Sequence, residues 1–388
     1  MHLIAAVVPL LALFTTGVVG QANKNQTTQA ATPQPSATTA APAAFSTSPP
    51  AVPNGPKCGK LNEWETITTS VQMEKIKGCV VYMGSLKITL IGNKDLTGLE
   101  TLARVDQSLE ITVSPDLETL TGLNSLVSVG DKLFIHENPK LVNLNGLEKF
   151  SYASSGVLIY DNPSLTSISG LSALSTINPK FEFPFGLHIY RNPKLTSLQG
   201  LGALKVVGNA LELHHLPLVT SLQGFPTSPS SAIPLVNLTI TSMARLINVT
   251  ELSGFRVLST TGAGKFAKLN ISANAVLTSL DGLGGVSAVQ GVTIDNNPML
   301  SSIKALTSVK SWAGPVSFTE DWSLCDYSGI NVTAKAAVKD AAFGTCDPSK
   351  AEAASKSLLK ESAASSLLPH SSAMYIAPLV AMLSILAY

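Results

Sequence analysis

Residues 187–207 read LHIYRNPKLTSLQGLGALKVV, and residues 157–177 read VLIYDNPSLTSISGLSALSTI. A third copy, LFIHENPKLVNLNGLEKF, runs from 133 to 150. Self-similarity at a fixed period is the signature of a stacked-repeat architecture. The Gly-Leu steps at Gly98, Gly122, Gly146, Gly170, Gly200 and Gly224 fall 24, 24, 24, 30 and 24 residues apart. Glu251-Leu252, Gly282-Leu283 and Ala305-Leu306 continue the series, so nine units are legible and Val316-Ser317-Phe318 opens a tenth strand.

Each unit opens apolar-x-apolar, turns around an Asn, and continues with an apolar residue at every third position. In the 187 unit these are Leu187, Ile189, Leu195, Leu198, Leu201, Leu204 and Val207. The alternation is a short strand whose odd positions point inward. A period of three is wrong for an α-helix and suits a tight coil that returns one inward residue per three. Asn-Pro recurs at Asn138, Asn162, Asn192 and Asn297, where the amide can satisfy corner backbone groups and Pro fixes φ. The expected fold class is an all-β solenoid, a parallel β-helix or leucine-rich-repeat-like coil with ~24-residue repeats. Ten rungs at ~4.8 Å would span roughly 45–50 Å.

An open terminal rung exposes core and strand edges, so a solenoid needs caps. Cys58 and Cys79 precede the first repeat, and Cys325 and Cys346 follow the last, each pair 21 residues apart. Local pairing, Cys58–Cys79 and Cys325–Cys346, is favoured among the three connectivities, giving disulfide-closed caps. A zinc site is disfavoured because the two pairs lie at opposite ends of the coil.

The two ends read as addresses. Residues 3–14 form an apolar run too short to span a bilayer, and Val18 and Gly20 sit at −3 and −1 of a cut before Gln21. Residues 1–20 are therefore expected to be a secretory signal peptide, although His2 stands where Lys or Arg is usual. Residues 21–57 hold Ala, Pro, Thr or Ser at 25 of 37 positions, a composition that favours an extended, glycosylated stalk. After the solenoid, 58–346, a second Ser/Ala-rich stalk is expected over 347–362. The triplet Ser362-Ala363-Ala364, a nine-residue spacer and the apolar tail Met374–Tyr388 match a GPI-attachment signal. Ser362 is the expected ω site, with Ala364 and Ser355 as competitors, and 363–388 would be removed. A short tail anchor is the alternative. The protein would then meet the membrane through lipid only, at the outer leaflet or in a cell wall.

Composition narrows the partners. With 26 basic against 25 acidic side chains the net charge is +1, which supplies no field to gather nucleic acid. Charged residues make up 13%, about half the usual share, which favours a secreted Ser/Thr/Ala-rich protein over a cytosolic enzyme.

The opening Cys58, then Cys79 to Ile88 (CVVYMGSLKI), followed by Asn-Pro-x-Leu and Gly-Leu repeats, resembles the receptor L-domain family over about 58–346. That resemblance implies a right-handed β-helix of the kind that forms ligand-binding modules in insulin and epidermal growth factor receptors. With the signal, glycan sequons and tail, the chain resembles L-domain proteins of fungal cell walls or similar microbial surfaces. It carries no Cys-rich furin-like module, kinase or spanning helix, so receptor signalling is not implied.

On the outer sheet face, the fourth strand positions are Thr112, His136, Tyr160, Tyr190, His214, Thr241, Ser272 and Asp295. The second positions are Glu110, Phe134, Leu158, His188, Glu212, Thr239, Asn270 and Thr293. Phe134, His136, Tyr160, His188, Tyr190 and His214 are the ligand-binding candidates, because exposed aromatics on a flat sheet are what sugars and protein partners stack against. Cross-strand aromatic pairs also stabilise sheets with no ligand. The insertion at 178–186, with Phe181, Phe183 and Phe185, is read either as a partner-contact lip or as a loop folded back on the coil. No metal and no cofactor is expected; His136 and His214 are three rungs apart.

Sequons occur at Asn25, Asn237, Asn248, Asn270 and Asn331. A glycan on Asn270 would shield the late rungs, and an unoccupied Asn270 in glycopeptide mapping removes that argument. For catalysis, Glu137 and Asp161 occupy equivalent corner positions on adjacent rungs, with Arg191 on the next. Paired carboxylates could split their pKa values and hydrolyse glycans. Solvated corner residues are the simpler reading, with no second layer of acids beside them. The expectation is a non-enzymatic binder of a wall polysaccharide or surface protein, the alternative a wall polysaccharide hydrolase or lyase.

Overall fold

The computed structural model describes residues 48–178, 185–227, 233–257, 268–312, 314–327, 330, 342–343 and 346–365. The chain divides into 1–44, outside the described residues, and a unit of 45–388. The latter is an all-β parallel solenoid of about ten turns. Its main sheet has 12 strands in chain order, from Trp64–Ile67 through Gly156–Tyr160, Gly186–Tyr190 and Ala210–His214 to Ala342–Phe343. All its pairings are parallel and each adds the next turn, as in Val157↔Leu187↔Leu211↔Leu238. Odd positions such as Leu133, Ile135, Ile159, Ile189 and Leu213 are fully buried, as alternation requires.

Two features of the turn were not legible from the pattern. A second sheet of 6 two-residue strands, Lys57–Cys58 to Thr176–Ile177, stacks along the early turns. Two residues are too short to alternate. The corner after each main strand from Leu109–Thr112 to Val316–Thr319 also holds a residue in the left-handed region, among them Val113, Glu137, Asp161, Arg191, His215 and Glu320, with φ between 47° and 57°. The Gly-Leu step has a steric cause: Gly146 has φ 111°, and a Cβ there would lie 2.1 Å from the Leu120 carbonyl oxygen one turn earlier.

The corner asparagines do more than close their own turn. Asn138, Asn162, Asn192, Asn274 and Asn297 are fully buried. Asn138 N–H donates to Asn162 Oδ1 at 3.2 Å, and Asn162 N–H to Asn192 Oδ1 at 3.1 Å. Each Nδ2 donates back to the previous strand, as Asn162 does to the Ile135 carbonyl at 3.0 Å. Leu90 begins this run by donating its N–H to Ser114 Oγ, Ser114 N–H donates in turn to Asn138 Oδ1, and a second run passes from Met243 through Asn274 and Asn297 to Asp321. The runs stop at Leu216, which has no acceptor to offer. Within each run the buried corner N–H is thus satisfied by the next turn's side chain.

Both ends are closed as expected, by the disulfides Cys58–Cys79 and Cys325–Cys346. Such bonds belong to an oxidising, extracellular-type environment. Helix Ser70–Lys75, with a Thr69/Gln72 capping box, lays Met73 and Ile76 over the first turn. Over the Ser/Ala-rich stretch 347–362, Pro348–Ser365 is an α-helix with Ala351 and Ser355 buried. Ala, Lys and Glu are strong helix formers, Pro348 suits the first helical position, and Glu352 pairs with Lys356 at 2.7 Å. Ser362 lies in this helix. The signal segment, most of the first stalk, most of the tail, Asn25 and Asn331 lie outside the described residues. Among the described residues no helix is long and apolar enough to cross a membrane.

Candidate functional site

Strand register brings the expected columns together: Thr112↔His136↔Tyr160↔Tyr190↔His214↔Thr241 are direct partners. The rings stack on one another. His136 and Tyr160 lie 4.5 Å apart at 7°, Tyr160 and Tyr190 4.8 Å at 8°, and Tyr190 and His214 4.4 Å at 9°. His215 closes the row edge-on at 5.4 Å. These spacings are the inter-strand distance itself, so each inner ring covers its neighbour's face. A ring sandwiched on both sides offers a partner its edge and its hydroxyl, not its face.

Two of the six candidates are withdrawn from solvent. His136 is buried, with Nε2 3.1 Å from Glu110 Oε1 and Nδ1 3.1 Å from Thr112 Oγ1; the same Glu110 oxygen accepts from Lys87 Nζ at 2.9 Å. His188 is buried with Nδ1 2.8 Å from Glu212 Oε2. The expectation of open histidines is corrected here, because a second-position Glu on the neighbouring rung engages each ring. His188 followed one rung later by Glu212 in the second-position column was the available signal for that pair. Phe134, Tyr160, Tyr190 and His214 remain partly exposed.

The corner residues form pairs. Asp161 accepts a fork from Arg191, Nε to Oδ1 at 2.7 Å and Nη2 to Oδ2 at 2.5 Å. The Arg191 guanidinium also lies 5.1 Å over the Tyr190 ring. Glu137 Oε1 is 3.4 Å from His136 Nδ1. Phe185, at the end of the insertion, receives Lys132 Nζ over its ring at 4.3 Å and so packs back toward the sheet; Phe181 and Phe183 lie outside the described residues.

Burial sets the protonation states. It raises the Tyr160 phenol, with Tyr190 and Glu137 adding to the effect. It pushes Tyr190 up to about 12 against the pull of Arg191. Burial, then His215, brings His214 down to about 4, and burial lowers His215 as well. For Glu212, burial acts upward but the His188 hydrogen bond and charge outweigh it and hold the carboxyl below its usual value. At neutral pH the row therefore presents protonated phenols at Tyr160 and Tyr190, neutral imidazoles at His214 and His215 and a fixed Asp161–Arg191 pair, a set suited to hydrogen bonding. Among the described residues no group of three or more His, Cys, Asp or Glu is arranged to hold a metal.

Of the sequons, Asn237 and Asn270 are partly exposed at the first and third residues of neighbouring strands, and Asn248 Oδ1 accepts from Thr250 Oγ1 at 2.7 Å. No protein-family model matches the chain, and a search of the curated proteins finds no match.

Proposed function

We propose that this protein is a non-enzymatic, GPI-anchored extracellular glycoprotein of receptor L-domain type. Its solenoid would hold a wall polysaccharide or a surface protein, in wall organisation or adhesion. The observation that carries the reading is the stacked row His136–Tyr160–Tyr190–His214 on a rigid parallel sheet, bordered by the Asp161–Arg191 fork. A row of ring edges and hydroxyls at regular spacing matches an extended partner lying along the stack, and rigid presentation lowers the entropic cost of binding. Arg191 turns Asp161 toward its own rung, so the Asp161 carboxylate is bound to Arg191 and, among the described residues, no bond to Glu137 joins the two acids.

The test mixes the intact secreted protein with a panel of insoluble wall polysaccharides and follows retention together with release of new chain ends. Retention without new ends, lowered at least about tenfold by Tyr160→Ala/Tyr190→Ala, is the expected result. New ends that disappear in Glu137→Gln would instead make the protein a polysaccharide hydrolase or lyase. No retention on any glycan, with capture by intact cell surfaces that the double variant loses, would identify a protein partner.

A further inference from the structure

The second asparagine run ends on an acid. Asn297 donates its N–H to Asp321 Oδ1 at 2.8 Å and its Nδ2 to the same oxygen at 3.1 Å, so Oδ1 fills the role of an amide oxygen. Oδ2 then occupies the place of the amide nitrogen. At Asn297 that nitrogen donates to the Ile271 carbonyl at 3.0 Å, and at Asn162 to Ile135. One turn later the register sets Ile294 in the equivalent role. A carboxylate cannot donate there. Asp321 is 2% exposed, and its Oδ2 is buried without a hydrogen-bond partner. The groups that face it make ionisation worse: Asp295 on strand Gly291–Asp295, Glu320 beside it in the chain, and the Tyr327 phenol beyond. Among the described residues no Lys or Arg forms an ion pair with it.

We propose that Asp321 is a proton-operated lock on the C-terminal end of the solenoid. Protonated at Oδ2, it is the donor that completes the ladder as an asparagine would. Ionised, it sets an uncompensated charge against carbonyl oxygens and two other carboxylates, and the last turn loosens around the Cys325–Cys346 bond. The direction of its titration agrees: burial, opposed by the two Asn297 bonds and reinforced by Asp295 and Glu320, pushes the carboxyl up to about 7. An unfolded aspartate titrates near 4, so the folded end binds the extra proton between about pH 4 and 7. Its stabilising contribution is complete below about pH 4 and is lost as pH rises through about 7.

The test compares the full oxidised chain with Asp321→Asn by amide hydrogen exchange, taking the ratio of the two proteins at each pH so that intrinsic exchange cancels. At about pH 8 the Asn297 and Val316–Thr319 amides should exchange at least about tenfold faster in the native chain, and at about pH 5 the two should match. A ratio that does not change with pH overturns the lock. A second readout needs no variant. Infrared difference spectra of the native chain between about pH 6 and pH 8, a window in which ordinary carboxyls are already ionised, should show loss of a protonated carboxyl at the raised frequency of a buried acid, and a spectrum without that band overturns the proposal even where Asp321→Asn does not fold.

Discussion

Asn162 shows what one side chain must do in this coil. Its Oδ1 accepts from the Asn138 N–H, and its Nδ2 donates to the Ile135 and Tyr160 carbonyls, with no solvent to replace any of these. Asn162→Leu keeps the volume and strands a buried donor and a buried acceptor. The expected loss is about 2–5 kcal/mol, read from the denaturant midpoint. The exposed Thr166→Val, four residues on, should stay within about 0.5 kcal/mol, which separates the ladder from generic sensitivity of the turn. The Asn-Pro pairs made the corner role legible. Ser114 escaped notice because it keeps the proline but replaces the asparagine, and Asn274 and Asp321 because no proline follows them.

At the scale of the strand, the stacked row has a pH dependence of its own, opposite in sign to that of the C-terminal end. His214 is held neutral, with its folded pKa near 4 and below that of a free imidazole. The unfolded chain therefore binds more protons between roughly pH 6.5 and 4, and the contribution, complete above that window, is lost as pH falls through it. His214→Phe keeps the contact with Tyr190 and removes the titration. Its Tm should exceed that of the native chain at about pH 4.5 and match it more closely at about pH 8; equal differences at both pH values would remove His214 as the cause. The columns themselves were legible, since inward and outward positions follow from alternation. That the rings cover one another, and that Glu110 and Glu212 engage the histidines, depends on χ angles and diagonal distances that no one-dimensional pattern contains.

At the scale of the molecule, a stack of near-identical turns should tolerate loss of a whole turn and fail on loss of half of one. Deleting 123–146 joins Gly122 to Leu147, brings Tyr160 beside Thr112 and lets Asn162 take over the role of Asn138 toward Ser114. The shortened chain should unfold in a single transition with an m-value lower by about one-tenth. Deleting 123–134 removes half the turn with the start of a strand, breaks the register and should leave a chain with no cooperative transition. A folded half-turn deletion, or an unfolded whole-turn deletion, would contradict stacking as the unit of stability. The caps behave differently. Helix Pro348–Ser365 read as a linker because Ser and Ala dominate it, and what distinguishes it from a stalk is the burial of Ala351 and Ser355.

The period, the direction in which each side chain points, the cysteine pairing and the aromatic columns could all be read before any fold was known. All of these are set by spacing along the chain, and spacing survives in one dimension. Only the tertiary structure decided that the asparagines bond between turns, that the rings pack face to face, and that Asp161 belongs to Arg191 30 residues away. It also decided that Asp321 ends a ladder with an oxygen where a donor is required. Those outcomes depend on which atoms lie within hydrogen-bond reach once the turns are stacked, and that distance exists only in the folded coil.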